Sequence, residues 1–505
     1  MKKQYIAIVA LWFTVGVSMA QNERDAFRYA QYSPVGTARY NSLAGSIGAF
    51  GADFTALSAN NPAGIGLYKR MELSLSIAVP YYKISSIYNG EKQSGAKADF
   101  NCNNAGVVFA FSRPAASKWK VIQFGTGFNT LARYRGTSVV SGRNTGEKYA
   151  ANDINRERGT TNFFDYVAES SYGIKDSSLQ ALAGVVYAYY LMDDKPDGSY
   201  SPRVVGDDFR QQQVTDKDGA LYEYIFTLGG NYDDKLFVGA TLGIPFSNYS
   251  QTTNYTETKE SFYDTLGYDK YRYYDEFKSN AAGVNLKLGV IYQPAKFVRI
   301  GAAFHTPTWY PNVKESYQNG YEFSNLYLVD SIYRNEPQDG MDITRGSFTY
   351  QLTTPYRVMA DVAFLFNQYG FINLGYELTD YTTSNLQSNV YNFNDENNAI
   401  STSYRISHTA RIGGELNLSP IALRLGYSYS SNPYKKSTTI DGTRHIISAG
   451  IGFKTKTFFA DFGYMYKFTN DKDVFYDAAS VHPYSSELVN QVFSLTLGLK
   501  FGSGN

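Results

Sequence analysis

The sequence predicts an all-β fold: a transmembrane antiparallel β-barrel of about fourteen strands with an N-terminal hatch, or plug, inside it. Three observations predict it. An export signal opens the chain, amphipathic segments alternating with period two recur along it, and its composition is rich in aromatics yet polar on average.

Lys2 and Lys3 precede an apolar run from Ile6 to Val17, and Ser18-Met19-Ala20 supplies the small-residue pattern of a signal peptidase site. Residues 1–20 are therefore expected to be a signal peptide, with the mature chain starting at Gln21. The run is too short to span a bilayer as a retained helix. The single cysteine, Cys102, lies far from the cleavage site, which leaves neither a lipoprotein anchor nor a disulfide framework.

The 505 residues include 46 Tyr and 33 Phe but only 15 Pro. Mean hydropathy is −0.35, as expected for a barrel in which only alternate residues face lipid. The net charge of +1, with basic and acidic residues mixed, argues against nucleic acid as a partner and against a polybasic membrane patch.

Period-two alternation predicts strands near residues 71–82, 103–113, 120–134, 221–232, 235–249, 281–293 and 296–306, then 347–366, 369–382, 403–418, 421–430, 444–454, 457–469 and 489–501. Short links such as Asp233-Asp234, Pro294-Ala295, Ser419-Pro420 and Lys454-Thr455 alternate with long polar loops. Outer-membrane barrels show this asymmetry, with short turns on the periplasmic side and an even strand number. A soluble two-sheet sandwich also alternates, but the signal, the aromatic content and the loop asymmetry argue against it. The last segment, Gln491 to Phe501, alternates apolar with small or polar residues and ends on an aromatic, resembling the signal that the barrel-assembly machinery reads.

Between residues 21 and 69 the pattern changes. Gly36, Gly45, Gly48, Gly51, Gly64 and Gly66 interrupt any alternation, so a compact, irregular unit is expected ahead of a barrel spanning residues 70–505. Irregular backbone at membrane depth is tolerated only inside protein, which makes this unit a hatch. It ends in Asn61-Pro62-Ala63-Gly64, where Asn-Pro sets a turn and the small residues permit close approach to the wall.

At these residues the chain resembles the FadL/TodX family of outer-membrane transporters for long-chain fatty acids and other hydrophobic compounds. Asn61-Pro62-Ala63 matches the family's hatch motif, and the segments Gly375 to Tyr381 and Arg424 to Tyr429 resemble its later strands. The resemblance implies passive transport in the outer membrane of a Gram-negative bacterium. Ligand is captured at extracellular loops, moves to a site inside the barrel and leaves through a lateral gap made by an inward kink of the third strand. Here that strand contains Gly125, Gly127 and Asn129 as candidate kink positions, with ordinary barrel curvature as the competing use of such glycines. The partners implied are a long-chain fatty acid or other hydrophobic small molecule, outer-membrane lipid and lipopolysaccharide, and the assembly machinery, for a monomeric barrel without cofactor.

The residues also bear on cargo. The strand from Leu236 to Phe246 is nearly free of charge on both faces, which suits either a greasy ligand or packing against the hatch. In the long second outer loop, Leu179, Leu182, Val186 and Tyr189 recur at helical spacing and would either pack on other loops or line a hydrophobic capture groove. Arg299, Arg411 and Arg424 have inward strand parity, as do Glu377 and Glu415. A network of ion pairs in the lumen is the favoured reading, with a clamp for a carboxylate head as its alternative.

The four histidines show no metal-binding spacing, and no nucleophile elbow or phosphate loop occurs, so neither an enzyme nor a metal site is expected. A barrel lipase could assemble Ser and His from separate strands, as with His408 near Ser407, but exposed polar positions near barrel rims explain the histidines equally well. A polar-solute porin, an adhesin-type barrel and haem uptake remain the alternative functions.

Overall fold

The computed structural model describes residues 23–33, 35–145, 163, 192–194, 200–202, 208–259, 270–324, 342–435, 441–473, 475 and 483–502. The expected signal peptide and the loop residues Leu179, Leu182, Val186 and Tyr189 lie outside them.

Fourteen antiparallel strands close into one barrel. They are β1 (Met71–Tyr88), β2 (Glu91–Ala98 and Asn101–Ser112), β3 (Trp119–Arg133 and Gly136–Thr145), β4 (Asp208–Tyr232), β5 (Leu236–Lys259), β6 (Lys270–Ala295) and β7 (Val298–His305 and Trp309–Ser324). The series continues with β8 (Asp342–Thr353 and Arg357–Leu365), β9 (Gly370–Asp380 and Asn385–Gln387), β10 (Ile406–Leu418), β11 (Ile421–Ser430), β12 (Arg444–Lys454), β13 (Phe458–Asp473) and β14 (Tyr484–Phe501). Each strand pairs with its neighbour in sequence, and β1 closes on β14 from Met71↔Phe501 to Ile87↔Ser485. Closure removes both sheet edges, the condition for placing a sheet in lipid.

Every expected strand is present, and the differences lie at the outer ends. β4 begins at Asp208 and not near 221, β5 runs to Lys259 and not to 249, and β6 starts at Lys270 and not near 281. These extensions carry runs such as Thr252-Thr253-Asn254-Tyr255-Thr256-Glu257. Apolar alternation is imposed only where one face meets lipid, so pairing that continues above the membrane leaves no such mark. The stretch between the first two expected strands is likewise no loop. It is the upper half of a β1–β2 hairpin that turns at Asn89-Gly90, both at positive φ (46 and 82), the two-residue turn that matches strand twist.

The outer surface shows the lipid belt directly. Leu73, Leu75, Leu228, Leu242, Leu288, Leu374, Leu425 and Leu497 are exposed large apolar side chains. Phe297, Phe366, Tyr369 and Trp119 ring the short-turn end, while Tyr224, Trp309, Tyr376 and Tyr427 stand higher on their strands. Paired aromatic girdles around an apolar band mark an outer-membrane barrel of the Gram-negative type.

Residues 23–68 lie against the inward wall. They form α1 (Glu23–Ala30), α2 (Ala38–Ser42), α3 (Ala56–Ala59) and a 3-10 helix (Pro62–Leu67). Small side chains let this thin backbone approach the wall closely, and larger ones anchor it. Phe27, Tyr29 and Ala30 of α1 pack with Tyr310, Tyr350 and Tyr404 near the outer end. Leu43 and Ile47 pack with Phe371, and Phe54, Leu57 and Ile65 with Val108 and Ile225.

Candidate functional site

Three of the many polar contacts that hold the N-terminal segment to the wall frame the site. At the segment's end, Asn61 caps the 3-10 helix by accepting from the Ala63 amide (2.9 Å), and its amide nitrogen donates to Val290 O and Ala302 O, both at 3.2 Å. A Cβ added at Gly239 or Gly289 would collide with Pro62 or Asn61. The inward face of Leu236 to Phe246 is therefore the small-residue face. Leu242 and Ile244 point to lipid, whereas Thr241 Oγ1 donates to Leu57 O (3.0 Å). The uncharged strand packs against the segment and does not line an apolar tunnel.

At the second place, Ser58 and Lys287 both bond Glu223, and His305 Nε2 contacts Asn60 O at 2.7 Å. At the third, Arg39 makes a bidentate pair with Glu415 (2.8 and 2.9 Å), which also accepts from Arg424 Nε (2.7 Å), and Arg424 reaches Asp461 (2.6 Å). Nearby, the Asp53 carboxyl accepts from Thr37 Oγ1 (2.6 Å) and from the Thr55 amide (2.9 Å), and burial pushes its pKa up.

Above this ion ladder lies a small cavity of about 50 Å³. Its floor is Tyr40, Asn41 and Gly45, its roof Ala30 and Tyr381, and its wall carries Arg357, Arg411, Arg444 and Lys467 against the single carboxylate of Glu377. Arg357 and Arg411 each bond Glu377 at 2.7 Å. Arg444 Nη1 donates to Tyr32 O (3.3 Å) and Lys467 Nζ to Ser33 Oγ (3.0 Å). Of the expected arginines, Arg411 lines this cavity. Arg424 belongs to the ion ladder below it, and Arg299, bonded to Phe50 O (3.0 Å) and Gln293 (3.1 Å), lies apart from both. Ion pairing accounts for Arg411 and Arg424, as expected for buried charges in a lumen. Arg357, Arg444 and Lys467 carried no signal in the sequence because their partners lie on other strands or in the N-terminal segment.

Tyr32, Ser33, Val35 and Gly36 lie between this cavity and the wall at β2 and β3. The β2–β3 ladder runs from Ser112↔Val121 through Gly106↔Gly127 and ends at Asn104↔Asn129. Strand β3 then shifts register between Thr130 and Ala132. Thr130 forms an isolated antiparallel bridge with Val35, and the Ser33 amide donates to Leu131 O (2.9 Å). Beyond that rung the paired residues of β2 align with β1, while those of β3 align with β4. The discontinuity is bounded above by Arg135, which pairs with Asp99 and with Asp218 (3.0 Å). Phe100 stands outside at its lip, 67% exposed.

Among the three candidate kink positions, only Asn129 sits where the ladder ends. Gly125 lies within regular pairing, where a Cβ would stand 3.2 Å from the Ile65 side chain. Gly127, with its partner Gly106, forms a slot for the Phe54 ring, which a Cβ at either position would strike. Ser407 and His408 do not come together. Ser407 is buried and bonds Ser431 O (2.9 Å), whereas His408 faces outward and contacts Tyr376 Oη (2.6 Å).

No family model and no curated protein matches the chain. Among solved structures, it is similar to a FadL homologue of Pseudomonas aeruginosa (TM-score 0.55, 12% identity, covering 93% of this chain and 99% of that one). It is also similar to the monoaromatic hydrocarbon channel CymD (TM-score 0.51, 11% identity, 94% and 100%). A third similar structure is the toluene transporter TbuX of Ralstonia pickettii (TM-score 0.51, 14% identity, 92% and 98%). The likeness runs over nearly the whole of each chain at very low identity, so it is one of architecture, and the barrel described here has the fold of the FadL/TodX outer-membrane transporters.

Proposed function

We propose that this chain carries hydrophobic compounds, long-chain fatty acids among them, passively across the outer membrane, and that they leave sideways between β2 and β3. The observation that carries this reading is the end of the wall ladder at Asn104↔Asn129, with Thr130 turned inward to pair with Val35. In this reading residues 21–69 act as the hatch. The small cavity under α1 receives the head group of the ligand, and displacement of Tyr32, Ser33, Val35 and Gly36 makes room for the tail and connects the cavity to the gap. The basic residues around Glu377 suit an anionic head, and neighbours of this fold are named as toluene and monoaromatic hydrocarbon transporters.

The driving force is elementary. Each buried methylene is worth roughly 0.8 kcal/mol, so a long acyl chain gains on the order of 10 kcal/mol in an apolar path. The polar lipopolysaccharide surface blocks such molecules, and lateral exit spares the tail a return to water. The test is uptake of radiolabelled palmitate by Gram-negative cells deprived of their own long-chain transporter, with and without this chain and beside a small sugar. Saturable palmitate uptake without sugar flux supports the reading. Sugar flux with no gain in palmitate uptake would make the protein an open porin.

A further inference from the structure

The inner mouth of the β2–β3 gap is lined by amides where a passage for bare hydrocarbon would be expected to be apolar. Asn103, Asn104, Asn129 and Thr130 are each at most 1% exposed. Asn104 and Asn129 are the last rung of the ladder, Asn103 is the extra residue of the β2 bulge opposite Ser76 and Ile77, and Thr130 is the residue bridged to Val35. Asn103 donates to Gly36 O (3.4 Å) and Asn104 to Thr55 Oγ1 (2.7 Å), which fixes the direction of both amides. The carbonyl oxygens of Asn103 and Asn104, both polar atoms of the Asn129 amide and the Thr130 hydroxyl have no hydrogen-bond partner among the described residues.

Buried polar atoms are nearly always satisfied, and a cluster left open at one spot marks a place where something else supplies the bonds. We propose that these four residues form a hydrogen-bonding filter, which passes hydrophobic molecules bearing a neutral group that both donates and accepts, such as a hydroxyl or a protonated carboxylic acid. The open set is three carbonyl acceptors, one amide donor and one hydroxyl. A hydroxyl on the cargo satisfies both kinds. A carboxylate only accepts and would face three carbonyl oxygens, so an acid held as its anion in the cavity would pass the filter protonated. A hydrocarbon satisfies none of these atoms and displaces any water that did, the mismatch that makes polar-lined sites reject apolar analogues. The inference rests on the lateral path proposed above and adds the chemistry of what passes through it.

The test compares uptake of radiolabelled hexadecanol and hexadecane by the same transporter-deficient cells expressing the full chain, as wild type, Thr130→Val and Asn129→Leu. Thr130→Val keeps the shape of the side chain and removes only its hydroxyl. Heat-modifiable mobility on a gel shows whether each variant folds, and Thr130→Val carries the test alone if Asn129→Leu does not. The expected result is an alcohol-to-alkane uptake ratio that falls about fivefold in either variant, the worth of one neutral hydrogen bond. An unchanged ratio in a folded variant, or equal uptake of the two probes by wild type, overturns the filter and leaves lateral transport standing. Wild-type cells that take up neither probe above the control overturn transport and filter together.

Discussion

Thr130 of the third strand pairs with Val35 of the N-terminal segment, not with the second strand beside it in the wall. The bridge ties the only interruption described in the β2–β3 ladder to the segment that covers it from inside. Residues paired across an antiparallel bridge have Cα atoms about 4.5–5.5 Å apart, within disulfide reach. The double variant Val35→Cys/Thr130→Cys, made in a Cys102→Ser background, should cross-link on oxidation and lose hydrophobic uptake, with recovery in reductant. Full uptake by the oxidised, cross-linked protein would show that this segment does not move during transport.

Phe54 occupies the slot made by Gly106 and Gly127 and is buried. Phe54→Ala should destabilise the folded barrel by about 3–5 kcal/mol. Gly106→Ala should cost about 1–3 kcal/mol through collision with the ring, and much less when Phe54 is already Ala. Urea unfolding of the two single variants and the double variant measures this coupling. Strict additivity would mean that the ring does not sit in the slot.

Arg39→Ala removes the segment's half of a buried bidentate pair, while Glu415 keeps Arg424. Breaking such a pair costs about 3 kcal/mol, and the loss falls on the attachment of the segment near the short-turn end. Higher ion conductance in planar bilayers is the expected outcome, and Arg39→Lys should restore only part of the seal because it cannot pair bidentately. Conductance equal to wild type would place the seal elsewhere.

Arg444→Gln and Lys467→Gln remove two cations that face the cavity. If the cavity holds an anionic head, the uptake ratio of palmitate to hexadecanol should fall about tenfold in the double variant, the scale of one charge-assisted hydrogen bond. Competition uptake at fixed pH reads this ratio, and no change would mean that these cations serve only Tyr32 and Ser33.

Asn61→Ala removes one cap and two bonds to wall carbonyls at the motif that closes the segment. A loss of about 2 kcal/mol in barrel stability is expected, from the orphaned carbonyls and the cap together. Heat-modifiable mobility across a temperature series would show it as a lower unfolding midpoint.

Much of the barrel is legible in the sequence because lipid imposes a local rule. Wherever one face of a strand meets the bilayer, every second residue is apolar, and Leu73 and Leu75 or Leu495 and Leu497 announce their own orientation. The rule fails above the membrane, where both faces of residues 208–220 and 250–259 meet water or protein, and those strand extensions read as loops. Asn61-Pro62-Ala63-Gly64 is legible for a similar reason, since proline and glycine constrain the backbone locally.

The site is less legible, because its parts are joined only by closure of the sheet. Inward parity marks Arg411 and Arg424, yet nothing near Arg39 or Arg357 in sequence names Glu415 or Glu377 as their partners. The third-strand glycines signal an unusual wall, and one of them, Gly127, forms a slot for Phe54 with Gly106 of the second strand. The ladder itself ends at Asn129, which the sequence singles out, and the register shift follows at Thr130, which it does not. By itself the sequence determined the architecture and the membrane-facing surface, because period-two patterning against lipid and the conformational limits of proline and glycine act over a few residues. Only the tertiary structure decided where the β2–β3 ladder ends, what lines the cavity and which charges cancel, because those depend on the register that brings residues hundreds of positions apart within hydrogen-bond distance.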